Sequence, residues 1–312
     1  MCNEFSYIFI IQGEVMETIN KKKLKDTLVA YAFMAPALLI LVVFVFYPIV
    51  YSLPLGFYNY SVVGETKFIG FDNFKRLFAD GDFWIAFKNS CLFIIVVPIL
   101  QLLSILIALM MNRKLKGTTL FRVLYYIPVV TSMVAVSIIW KFIFDPDGLI
   151  NAILLRWHLI SSPIQFLFDT KLALPTLMAV TIWQGLGYYM MLYLAGLQSI
   201  PEELSEAATI DGANGWHTFW KIKLPLLQPY IWFCSLISVI AAIGVFDVVF
   251  TMTDGGPDKS TYVINYYSYR QAFSILDFGY SAAIGLVLGV VTTIFSIFLF
   301  IYGKKGGGSI YE

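Results

Sequence analysis

Six stretches of this chain carry no Asp, Glu, Lys or Arg, and each is about as long as a helix needs to be to cross a bilayer. That spacing of charge limits the fold more than any motif does. A helix spanning a hydrocarbon core of about 30 Å, at about 1.5 Å per residue, needs about 20 mostly apolar residues. Between Asp26 and Glu65 the run LVAYAFMAPALLILVVFVFYPIVYS fills such a gap, and further charge-free stretches cover 89–112, 123–140, 172–201, 224–246 and 278–303. With 59% hydrophobic and 13% charged residues, the chain lies outside the range of soluble domains of its length. The expected fold is an all-α integral membrane protein with six transmembrane helices. A net charge of +1 provides no field to gather nucleic acid. Cys2, Cys91 and Cys234 are scattered and lack CxxC spacing, so neither a disulfide framework nor a metal site is expected.

Lys and Arg favour the cytoplasmic side of a membrane. An N-in, C-in arrangement puts twelve of the 21 inside: Lys21, Lys22, Lys23, Lys25, Arg113, Lys114, Lys116, Arg122, Lys221, Lys223, Lys304 and Lys305. These cluster tightly at span ends, whereas the others are scattered through longer loops. The first span is too long for a secretory h-region and is read as an anchor. Residues 16–27, METINKKKLKDT, resemble a natural cytoplasmic start, so translation is expected to begin at Met16. An intact mass that includes residues 1–15 would overturn that expectation. The expected organisation is a cytoplasmic segment over 1–26, a six-span unit over 27–305 containing a polar loop over 199–226, and a short tail over 306–312.

That loop, between the fourth and fifth spans, reads SIPEELSEAATIDGANGWHTFWKIKLP. Ser199 and Glu202 have capping-box spacing, with Pro201 tolerable early in a helix. A short helix is expected from there through Ala207 and Ala208, ending at Asp211-Gly212, where glycine permits a left-handed exit. A second is expected from Asn214, with Trp216, Phe219, Trp220 and Lys223 on one face, until Pro225 stops it. The three aromatics are expected to pack on the chain's own span ends.

Taken together, Glu206-Ala207-Ala208, Asp211-Gly212-Ala213, Phe219 and Ile222-Lys223-Leu224-Pro225 resemble the EAA signature of permease subunits in binding-protein-dependent ABC importers. Thr253-Asp254-Gly255-Gly256-Pro257, YSYRQAF, FGYSAAIGLVL and FIGFDNFKRLF are similar to the carbohydrate branch, of maltose, multiple-sugar and glycerol-phosphate type. The resemblance implies that residues 199–226 form a cytoplasmic coupling helix seated in a groove of a separate ATPase. Glu206, Ala207, Ala208, Asp211 and Gly212 are then the coupling residues. It also implies four further components: a second homologous permease, two ATPase copies carrying ATP and magnesium, and an extracellular solute-binding lipoprotein delivering a sugar-like substrate. The implied location is a bacterial or archaeal cell membrane, in contact with lipid.

The chain has no G-x-x-x-x-G-K-[ST] stretch of its own. His158 and His217 fall in expected loops without a nucleophile or paired carboxylates beside them, so the chain is not expected to be an enzyme and no cofactor is expected in it. Trp183, Gln184, Tyr188 and Tyr189 in the fourth span combine aromatic faces with an amide, the chemistry that binds a sugar. Asp247, near the outer end of the fifth span, is either a pathway residue or an interfacial group bonded to a neighbouring helix. A self-sufficient secondary transporter is the alternative, whose marks would be internal repeats and ion ligands at mid-membrane.

Overall fold

The computed structural model describes residues 25, 27–60, 66–113 and 117–307. The proposed start at Met16, the lysines at 21–23, 114 and 116, and residues 308–312 lie outside the described residues. The chain forms two compact units divided after Leu55. The apolar helix α1 (Thr27–Phe57) lies in the first unit as far as Leu55, and its course passes through a π-helical turn at Val42–Phe46 just before Pro48.

The second unit opens with a hairpin of two-residue strands, β1 (Tyr58–Asn59) against β2 (Lys67–Phe68), a small departure from the expected all-α class. The helices α2 (Asp72–Ala79), α3 (Gly81–Phe93) and α4 (Val96–Met111) follow, the last two forming one span-length segment. After them come α5 (Thr118–Val130), α6 (Met133–Ile143) and α7 (Leu149–Arg156). The long α8 (Ala173–Gln198) leads to α9 (Glu202–Ile210), α10 (Gly215–Leu226) and α11 (Gln228–Ile243). Finally α12 (Asp247–Met252) and α13 (Ile264–Phe273) precede α14 (Phe278–Gly307), which runs past the tail boundary expected at 306. Among the described residues, four helices are long and apolar enough to cross a membrane, and up to six segments qualify if each of two bent pairs crosses as one.

Those two pairs bend within the charge-free stretches 123–140 and 224–246. In the stretch 123–140, α5 and α6 meet at 99°. Pro128 inside α5 lacks an N–H and crowds the preceding turn, and Thr131 then adopts an extended ψ of 138°. Likewise α10 and α11 meet at 64° around Leu227. Pro225 does not end the second short helix: residues Phe219–Lys223 widen into a π-helical turn, and the helix continues through the proline. Widening the turn moves carbonyls away from the pyrrolidine ring, the same device that precedes Pro48.

The core forms where α8 runs along α4 and α5, and where α11 and α13 lie against α14. Glycines permit the closest approaches. A Cβ placed on Gly187 would lie 2.0 Å from the Tyr125 carbonyl oxygen, whereas one on Gly185 would meet the Leu100 side chain at 3.2 Å. A backbone carbonyl cannot yield as a leucine methyl can. Gly187→Ala should therefore cost about 1–3 kcal/mol or more, and Gly185→Ala clearly less. Thermal unfolding of both variants in detergent checks this, and equal losses would refute it.

Candidate functional site: coupling segment and mid-span cavity

The α9 helix begins with Glu202 and Glu203 in its first turn, where carboxylates favour the helix dipole. The expected capping box does not form. Pro201 is the N-cap, and the Ser199 hydroxyl donates back to the Gly196 carbonyl at 2.8 Å, closing the end of α8 instead. The far end follows the expectation. Gly212 has φ +84°, its N–H donates to Thr209 O (3.1 Å), and the Ala213 N–H donates to Ala208 O (2.8 Å). This is the Schellman pattern that a left-handed glycine makes available. Asn214 then caps α10, its side chain accepting from the His217 N–H at 2.9 Å.

The five coupling candidates do not share one face. Glu206, Ala207, Asp211 and Gly212 are exposed, but Ala208 is buried within the chain's own fold. Ile210, 87% exposed, lies one turn from Glu206 and Ala207 on the free side of α9. Sequence reasoning missed it, although an isoleucine on an otherwise polar helix is a usable signal. Phe219 packs on the core as expected, whereas Trp216 and Trp220 are exposed and contact each other edge to face at 5.5 Å. The free surface of the segment is therefore Glu206, Ala207 and Ile210 with an aromatic pair beside it.

The candidate residues of the fourth span separate into groups. Gln184, Tyr188 and Tyr189 line a cavity of about 250 Å³ together with Leu100, Val129 and Ser238. Trp183 lines a different hollow with Tyr125 and Pro128, and stands edge to face with Trp140 at 5.2 Å. Asp247 lies beyond the end of α11, exposed in the first turn of α12, and borders neither hollow. Gln184 also supports the backbone, because its amide donates to Thr131 O at 3.1 Å, the carbonyl freed where α5 breaks from α6. In an apolar setting a freed carbonyl needs such a donor.

Behind the cavity lies a buried polar network. The Tyr193 hydroxyl donates to Gln101 Oε1 at 2.5 Å, the Gln101 amide donates to Ser238 Oγ at 2.7 Å, and Ser238 Oγ donates to Cys234 O at 2.7 Å. It ties α4, α8 and α11 together, and Ser238 belongs to both network and cavity wall. Gln101 and Ser238 were not anticipated, although amides and hydroxyls inside a charge-free run are themselves a signal.

At the start of the α3–α4 segment, where it caps α3, Asp80 collects its own ties. One carboxylate oxygen accepts from the hydroxyls of Tyr267 and Tyr280, and the other accepts from the Asp82 N–H. Arg76 pairs with Asp277 at 2.6 Å and stacks over Tyr280, and Lys259 pairs with Asp82 at 2.8 Å. Burial raises the Asp80 pKa, but hydrogen bonds from the two phenols and two backbone N–H groups outweigh it and hold the net value below the usual carboxylate range. Burial and the Asp80 carboxylate push Tyr267 upward. A depressed carboxylate contributes stability above its unfolded pKa of about 3.9 and loses that contribution as pH falls through the lower folded value. Asp80→Asn should thus lower stability by about 1–3 kcal/mol at neutral pH, less whatever solvent screens. The gap between variant and wild type should hold from pH 7 to 5 and shrink below about pH 4. Unfolding midpoints of both across that range test it, and a gap that narrows between pH 7 and 5 would refute it.

The model of the family "binding-protein-dependent transport system inner membrane component" matches residues 101–305. The chain is 36% identical over 297 residues to a lactose transport system permease protein of Rhizobium radiobacter, covering 93% of this chain and 99% of that one. It is 34% identical over 284 residues to a multiple sugar-binding transport system permease protein of Streptococcus mutans, covering 88% and 95%. Among solved structures it superposes with TM-score 0.80 and 26% identity on a chain of a bacterial ABC transporter that imports the acidic polysaccharide alginate, covering 91% of this chain and 98% of that one. A second structure of the bacterial alginate transporter, in complex with an alginate pentasaccharide-bound periplasmic protein, gives TM-score 0.79 at 26% identity, covering 89% and 94%.

Proposed function

Because the chain belongs to the family of binding-protein-dependent transport system inner membrane components, we propose that it is the membrane-spanning permease subunit of an ATP-driven ABC importer for a sugar. Its likeness along nearly its whole length to permeases named for lactose and multiple sugars supports the solute class. The observation that carries the coupling role is segment 202–226, where a Schellman corner at Gly212 sets two helices at a fixed angle with Glu206, Ala207 and Ile210 outward. Six spans, counting each bent pair as one, run N-in and C-in in a bacterial or archaeal cell membrane, and place this segment in the cytoplasm. There Glu206, Ala207, Asp211 and Gly212 meet a separate ATPase that holds ATP and magnesium, with Ala208 supporting them from beneath.

Two ATPase copies and a second homologous permease complete the membrane complex, and an extracellular binding protein delivers the solute. The alginate structure crystallised with its periplasmic protein supports that last partner. Within the membrane, Tyr188 and Tyr189 offer ring faces to a sugar's C–H surface, and the Gln184 carbonyl oxygen remains available to accept from a hydroxyl. Trp183 and Asp247 are candidates outside that cavity. Purification from native membranes under mild detergent tests the whole reading. A second six-span permease and two ATPase copies should accompany the chain. Recovery of the chain alone with transport intact would overturn it.

A further inference from the structure

Where α4 gives way to α5, two adjoining hollows share a wall. One, of about 800 Å³, is polar: Arg113, Arg122 and Lys223 line it, with Glu202 and Glu206 contributed by α9. The other, of about 290 Å³, is apolar, lined by Ile107, Met110, Met111, Phe121 and Tyr125. Arg113 and Thr118 border both. A cationic hollow opening into an apolar one matches the outline of an amphiphile with an anionic head.

The cationic side is built into the fold. Arg122 donates from Nη2 to the Met111 carbonyl at 2.9 Å, which fixes its guanidinium at the end of α4, and its Nε is buried with no partner among the described residues. Three cations against two carboxylates leave the cleft one positive charge in excess. The carboxylates, both on α9, confine an anion to the α4–α5 side. Met110 and Phe121, in the apolar hollow, are 61% and 51% exposed, and so open it sideways at the end of a span-length helix. Basic groups at that level of a membrane attract anionic headgroups.

We infer that this is a binding site for one anionic phospholipid. The phosphate sits at Arg113 and Arg122, and one acyl chain lies along Met110, Phe121 and Tyr125. The proposed orientation assigns the site to the inner leaflet, and the inference rests on that reading for the leaflet alone.

Native mass spectrometry of the full-length chain in detergent tests it, with phosphatidylglycerol and phosphatidylcholine of matched acyl chains as probes. Wild type should retain one phosphatidylglycerol at concentrations where phosphatidylcholine is lost. Arg113→Gln should weaken that retention about fivefold, and Arg113→Lys should restore most of it. Phe121→Gln should weaken it with both cations intact, and excess inorganic phosphate should not displace the lipid. Equal retention of the two lipids, unchanged retention in Arg113→Gln, or displacement by inorganic phosphate would overturn the site, the last by making a free anion the ligand. The assay contains no ATPase, binding protein or sugar, so failure of the importer reading leaves its result intact.

Discussion

If the chain is the permease of the proposed importer, replacing Gly212 with valine is expected to abolish uptake, by more than about tenfold, in a complex that still assembles with the ATPase. The backbone at 212 has φ +84°, and a Cβ built there meets nothing within 4 Å among the described residues. Crowding is therefore not the obstacle. A β-branched residue is a genuine outlier in the left-handed region, and the cost of about 1–2 kcal/mol falls on one corner of the fold. The chain can relieve it by letting the corner open, which breaks the bonds from the Gly212 and Ala213 N–H groups to Thr209 and Ala208 and changes the angle between α9 and α10. Asparagine tolerates the same conformation, so Gly212→Asn should keep most of the transport rate. Measuring solute uptake and ATPase co-purification together separates the outcomes. Wild-type uptake by the valine variant would show that the corner does not set the coupling geometry.

Gln184→Leu is the second large effect, with uptake expected to fall about tenfold or more while ATP hydrolysis by the assembled complex persists. Leucine fills similar space but cannot donate to the Thr131 carbonyl, and an unsatisfied carbonyl costs about 1–3 kcal/mol where water is excluded. Since about 1.4 kcal/mol is a factor of ten in an equilibrium, the bend between α5 and α6 should shift in population, and the cavity wall at Val129 should move with it. Tyr188→Phe, which removes a hydroxyl from the same cavity without touching the break, should change the solute concentration needed for half-maximal uptake more than the maximal rate. Normal uptake kinetics in Gln184→Leu would remove this residue from both the bend and the pathway.

The span-length segments were legible because charge is excluded from them, and that signal needs no tertiary information. Gly212 was legible for a similar reason: few residues accept a left-handed exit, so its place after an alanine-rich turn announced the corner. The breaks were harder. Whether a break follows Pro128 depends on what satisfies the carbonyl left free at Thr131, and the donor is Gln184, 53 residues further along the chain from Thr131. Pro225 reads as a terminator because a proline normally ends α-helical hydrogen bonding, but five residues of wider turn let the chain pass through it. Ser199 and Glu202 have the right spacing for a cap, yet the hydroxyl has a nearer acceptor in Gly196. Ala208 is small, as a close contact requires, but packing alone decides which face it occupies. The buried chain of Tyr193, Gln101 and Ser238 joins residues far apart in sequence that no local pattern connects.

The helix α10 does not end in a flexible loop but runs into α11 through a 64° bend at Leu227, whose side chain is wholly buried. On the α8 side Gly196 leaves just enough room for it: a Cβ there would meet Leu227 at 2.9 Å and the Tyr230 ring at 2.8 Å. In mechanical terms the segment is a crank. Leu227 is its bearing, seated in a socket cut by the missing side chain at position 196. In the proposed importer, a thrust applied along α10 would emerge as a swing of α11, which carries Ser238 and the neighbouring wall of the Gln184 cavity. The stroke delivered at the cavity is then set by the distance from the bearing, and any bulk added at 196 would seize the joint without touching either end of the lever.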